Sequence, residues 1–220
     1  MGKIIARLAN EMKNHAPFTI FGALTGIVMI FIIVYGNLLQ TISPISENIF
    51  YILHPTHVFL SAIVTTTLFI RYGKKNIWLI IIIGYTGSVG IATISDSIIP
   101  YFGELLLGLP NTGAHIGFIE EPLLTNPPAL IGIALANWKG TTKFPHAGHV
   151  LISTWASLFH IIMALGTGIS ILQIIGIFVF LFLAVWIPCC ASDIAYPLLF
   201  QKKNKDENIS LETTKSSIIS

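Results

Sequence analysis

The stretch His146-Ala-Gly-His149-Val-Leu-Ile-Ser153 repeats the pattern of an earlier stretch, His54-Pro-Thr-His57-Val-Phe-Leu-Ser61. Each copy has the form His-x-x-His-Val-x-x-Ser and opens an apolar segment. A second motif follows each copy in the next apolar segment, and it consists of a serine, an aspartate and then a proline: Ser95, Asp96 and Pro100 in one half, Ser192, Asp193 and Pro197 in the other. Two motifs that recur in the same order predict that the chain is a duplicated unit.

The composition is typical of a membrane protein. Hydrophobic residues make up 54% of the 220 residues, charged residues make up 10%, and the mean hydropathy is +0.79. A soluble surface needs more charge than this. The two cysteines are adjacent, at Cys189 and Cys190, so they predict neither a disulfide framework nor a zinc ribbon. The sequence has no phosphate-binding glycine loop, serine nucleophile elbow or HExxH motif, and nothing in it predicts a nucleic-acid partner.

The sequence predicts an all-α polytopic membrane protein with six transmembrane helices. A span needs about 20 apolar residues, and the candidate segments are 18–40, 49–70, 77–99, 119–138, 149–169 and 171–191. Pro100 is expected to end the third span. The fourth span is the weakest, because its continuous apolar run, Ala129 to Trp138, would cross only about half of a bilayer. Residues 3–14 have the spacing of a short helix on the membrane surface, or form a frayed basic tail.

The positions of the basic residues predict the orientation of the chain. With six spans, all 12 lysines and arginines fall on one side of the membrane. Without the fourth span, the lysines of the C-terminal tail would fall on the other side. The positive-inside rule therefore predicts a multi-pass protein of the plasma (inner) membrane with both termini in the cytoplasm.

The two halves are predicted to be inverted repeats, because three spans per repeat reverse the direction of the second copy. The N-terminal repeat covers residues 1–100, with the surface helix and spans 1 to 3. The C-terminal repeat covers 101–200, with an irregular outer segment and spans 4 to 6, and residues 201–220 are predicted to form a disordered cytoplasmic tail. Three-span inverted repeats are a recurring plan among secondary transporters.

Polar residues recur at helical spacing on two of the spans. The stripe on span 5 consists of His146, His149, Ser153, Ser157 and His160, and that on span 2 consists of His54, His57, Ser61 and Thr65. Polar stripes must face the protein interior, because exposing them to hydrocarbon is unfavourable. Each pair of histidines, together with the aspartate of the same half, forms a candidate set for metal binding or proton relay: His54, His57 and Asp96 at the outer face, and His146, His149 and Asp193 at the inner face.

Further candidates could add to these sets. They are His115, Glu104, Glu120 and Glu121 on the outer side, Ser61 and Ser153 on the stripes, and His160, whose equivalent place in the first half holds Leu68. Two histidines three residues apart and a carboxylate are typical of a site for a divalent transition metal such as zinc. The same groups could relay protons without a metal, or could serve only as structural hydrogen-bonding groups.

Three functions are consistent with these features. The first is a transporter or permease for a small ion or polar solute, dependent on metal or protons. The second is a membrane-embedded, zinc-type hydrolase acting on a lipid or isoprenoid substrate, and the third is a haem-binding membrane protein with axial histidines. Duplication favours transport, since alternating access needs similar structures at both faces, whereas the unmatched segment 101–126 favours an enzyme.

The topology can be tested with single cysteines and a membrane-impermeant maleimide. We expect a cysteine that replaces Thr112 to react from outside intact cells, and cysteines that replace Lys74 and Lys203 to react only after the membrane is opened. The reason is that the positive-inside rule keeps the basic segments in the cytoplasm. Labelling of position 203 from outside would contradict the six-span topology.

Overall fold

A computed structural model of the chain describes residues 2–71, 76–139, 143–166, 169–191 and 196. All regular secondary structure in this part is helical, with the following bounds: α1 Gly2–Tyr35, α2 Leu39–Arg71, α3 Ile77–Leu106, α4 Gly117–Glu120, α5 Pro122–Lys139, α6 Lys143–Ala164 and α7 Ile171–Cys190. The tail at 201–220, which the sequence analysis expects to be disordered, lies outside the described residues.

Four helices are long and apolar enough to cross a membrane: α1 from Ala16, α2, α3, and α7 up to Cys189. Large apolar side chains are exposed on their outer faces, such as Phe21 and Val28 on α1 and Leu172 on α7. Such faces are suited to lipid rather than water. Each of the six predicted segments overlaps a helix, although α5 and α6 do not reach the length and apolar character of the other four.

Two helices begin earlier than the sequence analysis predicts. α1 starts at Gly2 and continues through Pro17, so the predicted surface helix and the first span are one helix. α2 starts at Leu39 rather than near residue 49, and contains prolines. A proline removes one helical hydrogen bond, but a continuous helix still satisfies the other backbone groups, which lipid cannot do. As a result, His54 and His57 lie near the middle of α2 and not in its opening turns.

The sequence predicts that the third span ends at Pro100, but α3 continues through this residue. Two short π-helical segments interrupt it, Thr86–Gly90 and Ile94–Ile98. In an α-helix, the ring of Pro100 would clash with the carbonyl four residues earlier, that of Asp96, and the wider π turn separates these groups. α3 therefore carries Asp96 and, about two turns later, Glu104.

The structure also changes the bounds of the fourth and fifth spans. α5 has 18 residues and continues through two adjacent prolines. α6 ends at Ala164 rather than near residue 169, because Asn111 of the segment between α3 and α4 binds its last carbonyl groups. The backbone N–H of Asn111 donates to the oxygen of Ala164 at 3.3 Å, and its side chain donates to the oxygen of Leu165 at 3.4 Å. Such donors satisfy the carbonyls that a helix end leaves free.

Two apolar clusters hold the helices together. One is formed by α1, α6 and α7, with buried residues such as Ile30 and Leu181. The other is formed by α2, α3 and α5, with buried residues such as Phe69 and Ile133. Each cluster combines the first helix of one half with the second and third helices of the other half. α2 and α6 also contact each other, and the buried polar residues described below lie on these two helices and on α3.

Gly132 allows α5 to approach α2 closely. A Cβ atom at this position would lie 2.6 Å from the backbone oxygen of Phe59 and 2.9 Å from the Cβ of Ala62. We expect Gly132→Ala to lower the thermal unfolding temperature in detergent, because overpacking of this kind costs about 1–3 kcal/mol. Gly90→Ala is the matched control, since no described atom lies within 4 Å of a Cβ built there. Equal unfolding temperatures for the two variants would contradict the close helix approach.

Candidate functional site

The carboxylate of Asp96 is fully buried between α2, α3 and α6. Its Oδ2 atom lies 2.9 Å from Nδ1 of His54 and 2.7 Å from Nδ1 of His57, two residues on one face of α2. Its Oδ1 atom accepts hydrogen bonds from the hydroxyl groups of Ser95 at 2.6 Å and Ser153 at 2.7 Å. These five residues are termed the Asp96 cluster. The structure thus brings together His54, His57 and Asp96, which the sequence analysis placed in one set.

The second π segment of α3 directs three consecutive polar side chains to different neighbours. Ser95, Asp96 and Ser97 are all fully buried. Asp96 binds α2, whereas the Ser95 hydroxyl lies 3.2 Å from that of Ser153 on α6. The hydroxyl of Ser97 donates to the backbone oxygen of His115 at 2.9 Å. One short segment therefore joins α3 to α2, to α6 and to the chain before α4.

The ring of His149 lies against the ring of His57. Their centroids are 5.8 Å apart, their planes differ by 9°, and His149 is fully buried. The prediction that these two histidines belong to sets at opposite faces is therefore wrong. The physical reason is the length of α2, which carries His57 to the interior. The side chain of His146 and all of Asp193, the other members of the predicted inner set, lie outside the described part of the chain.

The hydrogen-bond partners define the protonation of the Asp96 cluster. An ionised carboxylate can only accept, so each histidine donates its Nδ1 proton to Asp96. The Nε2 atoms of His54 and His57 are buried without a hydrogen-bond partner among the described residues. A bare nitrogen is favoured there, since a buried N–H without an acceptor is rare. Both histidines are then neutral, and the cluster has a single negative charge.

A second pair of buried ionisable residues lies about two helical turns along α3 from Asp96. Nδ1 of His160 is 2.7 Å from Oε1 of Glu104, and both side chains are almost completely buried. Nε2 of His160 lies 3.1 Å from the backbone oxygen of Ala114, and the backbone N–H of Gly113 donates to Oε2 of Glu104 at 3.3 Å. His160, predicted to lie deep in the fifth span, thus contacts the segment before α4.

Glu120 belongs to a third, partly exposed group. It accepts hydrogen bonds from the hydroxyl of Tyr51 and from the backbone N–H of Ile116, and its Oε2 lies 3.6 Å from Nδ1 of His115. Burial alone would raise the pKa of Glu120, but the two hydrogen bonds and the charge of His115 hold the pKa below its usual value. The side chain of Glu120 is 44% exposed, so this group can exchange protons with solvent.

The remaining predicted residues have simpler surroundings. Glu121 is exposed, and Ser61 is buried on α2. The sequence analysis missed Phe50, whose ring stacks on that of His54 at a centroid distance of 5.3 Å. The spacing of four residues on one helix could have revealed this contact. It also missed Tyr51, for which no sequence signal exists, because its partner lies in the irregular segment.

Metal binding stays a prediction. No group of three or more His, Cys, Asp or Glu residues within the described ranges is arranged to hold a metal ion. In this structure, Nδ1 of His54 and Nδ1 of His57 are both within hydrogen-bonding distance of one oxygen of Asp96. The two histidines therefore bind the carboxylate directly.

Comparison of the chain with family models, with curated proteins and with solved structures finds no match.

Ser153 provides a test of the Asp96 cluster. We expect Ser153→Ala to lower the free energy of unfolding by about 1.5–3 kcal/mol, the range for hydrogen bonds to charged groups. Ser46→Ala is the matched control, because Ser46 is also buried but donates only to the oxygen of Ile42 in its own helix. Unfolding in detergent with increasing denaturant measures the free energy of unfolding of both variants. A control variant at least as destabilised as Ser153→Ala would contradict the role given to Ser153.

Proposed function

We propose that the protein is a six-helix membrane transporter, built from two inverted three-helix repeats, that moves protons alone or together with a small ion or polar solute. The Asp96 cluster carries this proposal, because it is a buried, charged site formed by helices of both halves. Ion sites of secondary transporters lie at the interface of their repeats, near interrupted helices. The π segment at Asp96 interrupts the α-helical pattern of α3 without breaking the helix, and π turns are frequent at functional sites.

The helix contacts support the repeat. In an inverted repeat, α1, α2 and α3 correspond to α5, α6 and α7. The contact of α1 with α7 then corresponds to that of α5 with α3, and the contact of α1 with α6 corresponds to that of α5 with α2. All four contacts occur. The same correspondence relates the two apolar clusters, since one contains α1, α6 and α7 and the other contains their counterparts α5, α2 and α3.

Equivalent residues meet where the two halves join. His57 and His149 hold the same place in the repeated motif, and their rings are in contact. Contact between equivalent residues is expected on the axis that relates two copies of a unit. Ser153, the equivalent of Ser61, binds the aspartate of the other half.

Proton uptake can be linked to a change in the accessibility of the site. When His54 or His57 accepts a proton at Nε2, the single negative charge of the cluster is neutralised. A neutral site passes through the interior of a membrane protein at a lower free energy than a charged one. The loaded site can therefore turn from one face to the other more readily than the empty site, which is what coupled transport requires.

The pairing of Glu104 favours transport over the zinc-type hydrolase. Glu104 is one of the carboxylates that could add a ligand to a metal at the outer set, but it is bound to His160. The Asp96 cluster is the best-formed chemical site among the described residues.

Proton flux into vesicles tests the proposal. The proteoliposomes contain a pH-sensitive dye, and valinomycin sets a potassium diffusion potential across their membrane. We expect them to take up protons faster than empty liposomes. Asp96→Asn should lower this flux by about tenfold or more, because the loss of one charge-assisted hydrogen bond alone has this effect on a rate.

Glu47→Gln is the matched control, since Glu47 is an exposed carboxylate on the same helix as His54. Its flux should equal that of the wild type. Wild-type flux no faster than that of empty liposomes, or Asp96→Asn flux equal to wild type in folded protein, would overturn the proposal.

A further inference from the structure

The Glu104 and His160 pair holds a proton that its hydrogen bonds require. Nε2 of His160 faces the backbone oxygen of Ala114 at 3.1 Å. A carbonyl oxygen can only accept, so Nε2 carries a proton. The 2.7 Å contact between Nδ1 and Oε1 of Glu104 needs a second proton, which belongs either to Nδ1 or to the carboxyl group. In both cases the pair is neutral, and it holds one proton more than a neutral imidazole beside a carboxylate.

The Asp96 cluster is in the opposite state. Nε2 of His54 and Nε2 of His57 have no hydrogen-bond partner among the described residues. Each is a basic nitrogen that can accept a proton, and the cluster has a negative charge that one proton would neutralise. A loaded site and an empty site therefore occupy the same bundle. The loaded pair lies on α3 and α6, and the empty site lies on these two helices and on α2.

Phe50 contacts both of these sites. Its fully buried ring stacks on the ring of His54 at 5.3 Å and contacts the ring of His160 edge-on at 5.5 Å. A phenyl ring neither donates nor accepts a proton, so a ring in contact with both histidines obstructs direct proton transfer between them.

The basic nitrogen of His54 is directed towards the same end of the bundle. Nε2 of His54 lies 3.0 Å from the position that a Cβ on Gly117 would occupy, and Gly117 begins α4. The hydroxyl oxygen of Thr125 lies 3.2 Å from that position and has no hydrogen-bond partner within the described ranges. A proton that arrives from the segment before α4 thus reaches His54 at the atom that can accept it.

The loaded pair is connected to solvent through His115. The ring of His115 contacts that of His160 at a centroid distance of 5.3 Å, and its side chain is 27% exposed. Glu120, which is more exposed, lies beside His115. His115 has a φ of +40°, a strained conformation that non-glycine residues rarely adopt and that the surrounding contacts must maintain.

We propose that the Glu104 and His160 pair is the proton donor of the Asp96 cluster, and that Phe50 is the barrier between them. This inference rests on the proposed proton transport. The shared proton leaves the pair, which becomes negatively charged, and binds Nε2 of His54, so that the cluster becomes neutral. A proton from solvent, passed by Glu120 and His115, restores the neutral pair. Charge and protons balance in each step.

The titratable groups that face this route come from three elements. Glu104 faces His160 from α3, and His115 faces it from the segment before α4. Asp96 faces His54 from α3, and His57 of α2 binds the same carboxylate. The pH dependence of the transfer should therefore reflect these groups and not the surface lysines.

A spectroscopic measurement tests the loaded state without any transport. In protein with ¹⁵N-labelled histidine, we expect either a doubly protonated imidazole signal that His160→Gln removes, or an infrared band of a protonated carboxyl group that Glu104→Gln removes. The signals that His57→Gln removes should belong to a neutral ring protonated at Nδ1. A singly protonated His160 beside an ionised Glu104 would overturn the proposal even if the protein transports protons.

Proton flux in the same proteoliposomes tests the route. We expect Glu104→Gln to lower the flux by about tenfold, because glutamine supplies no exchangeable acid. The control is Glu121→Gln, at an exposed position next to Glu120, which should leave the flux unchanged. Phe50→Leu should raise the flux by about fivefold or more, since the smaller side chain obstructs the transfer less, and Phe50→Met is a second variant in case leucine impairs folding. Unchanged flux in Glu104→Gln, or lower flux in both folded Phe50 variants, would overturn the inference.

Discussion

The buried carboxylate of Asp96 imposes the main constraint on this structure. An ionised group in a low-dielectric interior must be surrounded by hydrogen-bond donors. Leaving it without them has a free-energy cost similar to that of breaking a buried ion pair, about 3–5 kcal/mol. Its donors come from α2, α3 and α6, so these helices cannot move independently while the charge is present. The same constraint explains why a change in protonation can be linked to a change in helix packing.

The sequence predicts the close approach of His54, His57 and Asp96 for physical reasons that need no structure. Helical spacing puts the two histidines on one face of a helix, and that face must point into the protein because lipid cannot satisfy its polar groups. The duplicated motif then identifies the aspartate as their partner. The ends of the helices are harder to predict. Pro17 is an ordinary signal for the start of a helix and Pro100 for the end of one, yet both lie inside helices here, because a membrane favours continuous backbone hydrogen bonding.

The errors in helix length account for the error in the site. With α2 beginning near residue 49, His57 would lie near one face of the membrane and His149 near the other. With α2 beginning at Leu39, the two rings meet. The pairing of Glu104 with His160 could not be predicted either, since it depends on a π turn that carries α3 past Pro100 and on irregular backbone around Ala114.

The two halves differ in one chemically important respect. By the spacing of the repeated motifs, the place of His160 in the first half belongs to Leu68, and the place of Glu104 in the second half belongs to Gln201. The central histidines and aspartates are duplicated, but the proton-loaded pair is not. In the proposed transporter, a duplicated centre with an acid–base pair on only one side would receive protons more easily from that side. The duplication would supply a site that can face both ways, and the Glu104 and His160 pair, which has no counterpart in the other half, would give it a preferred direction of loading.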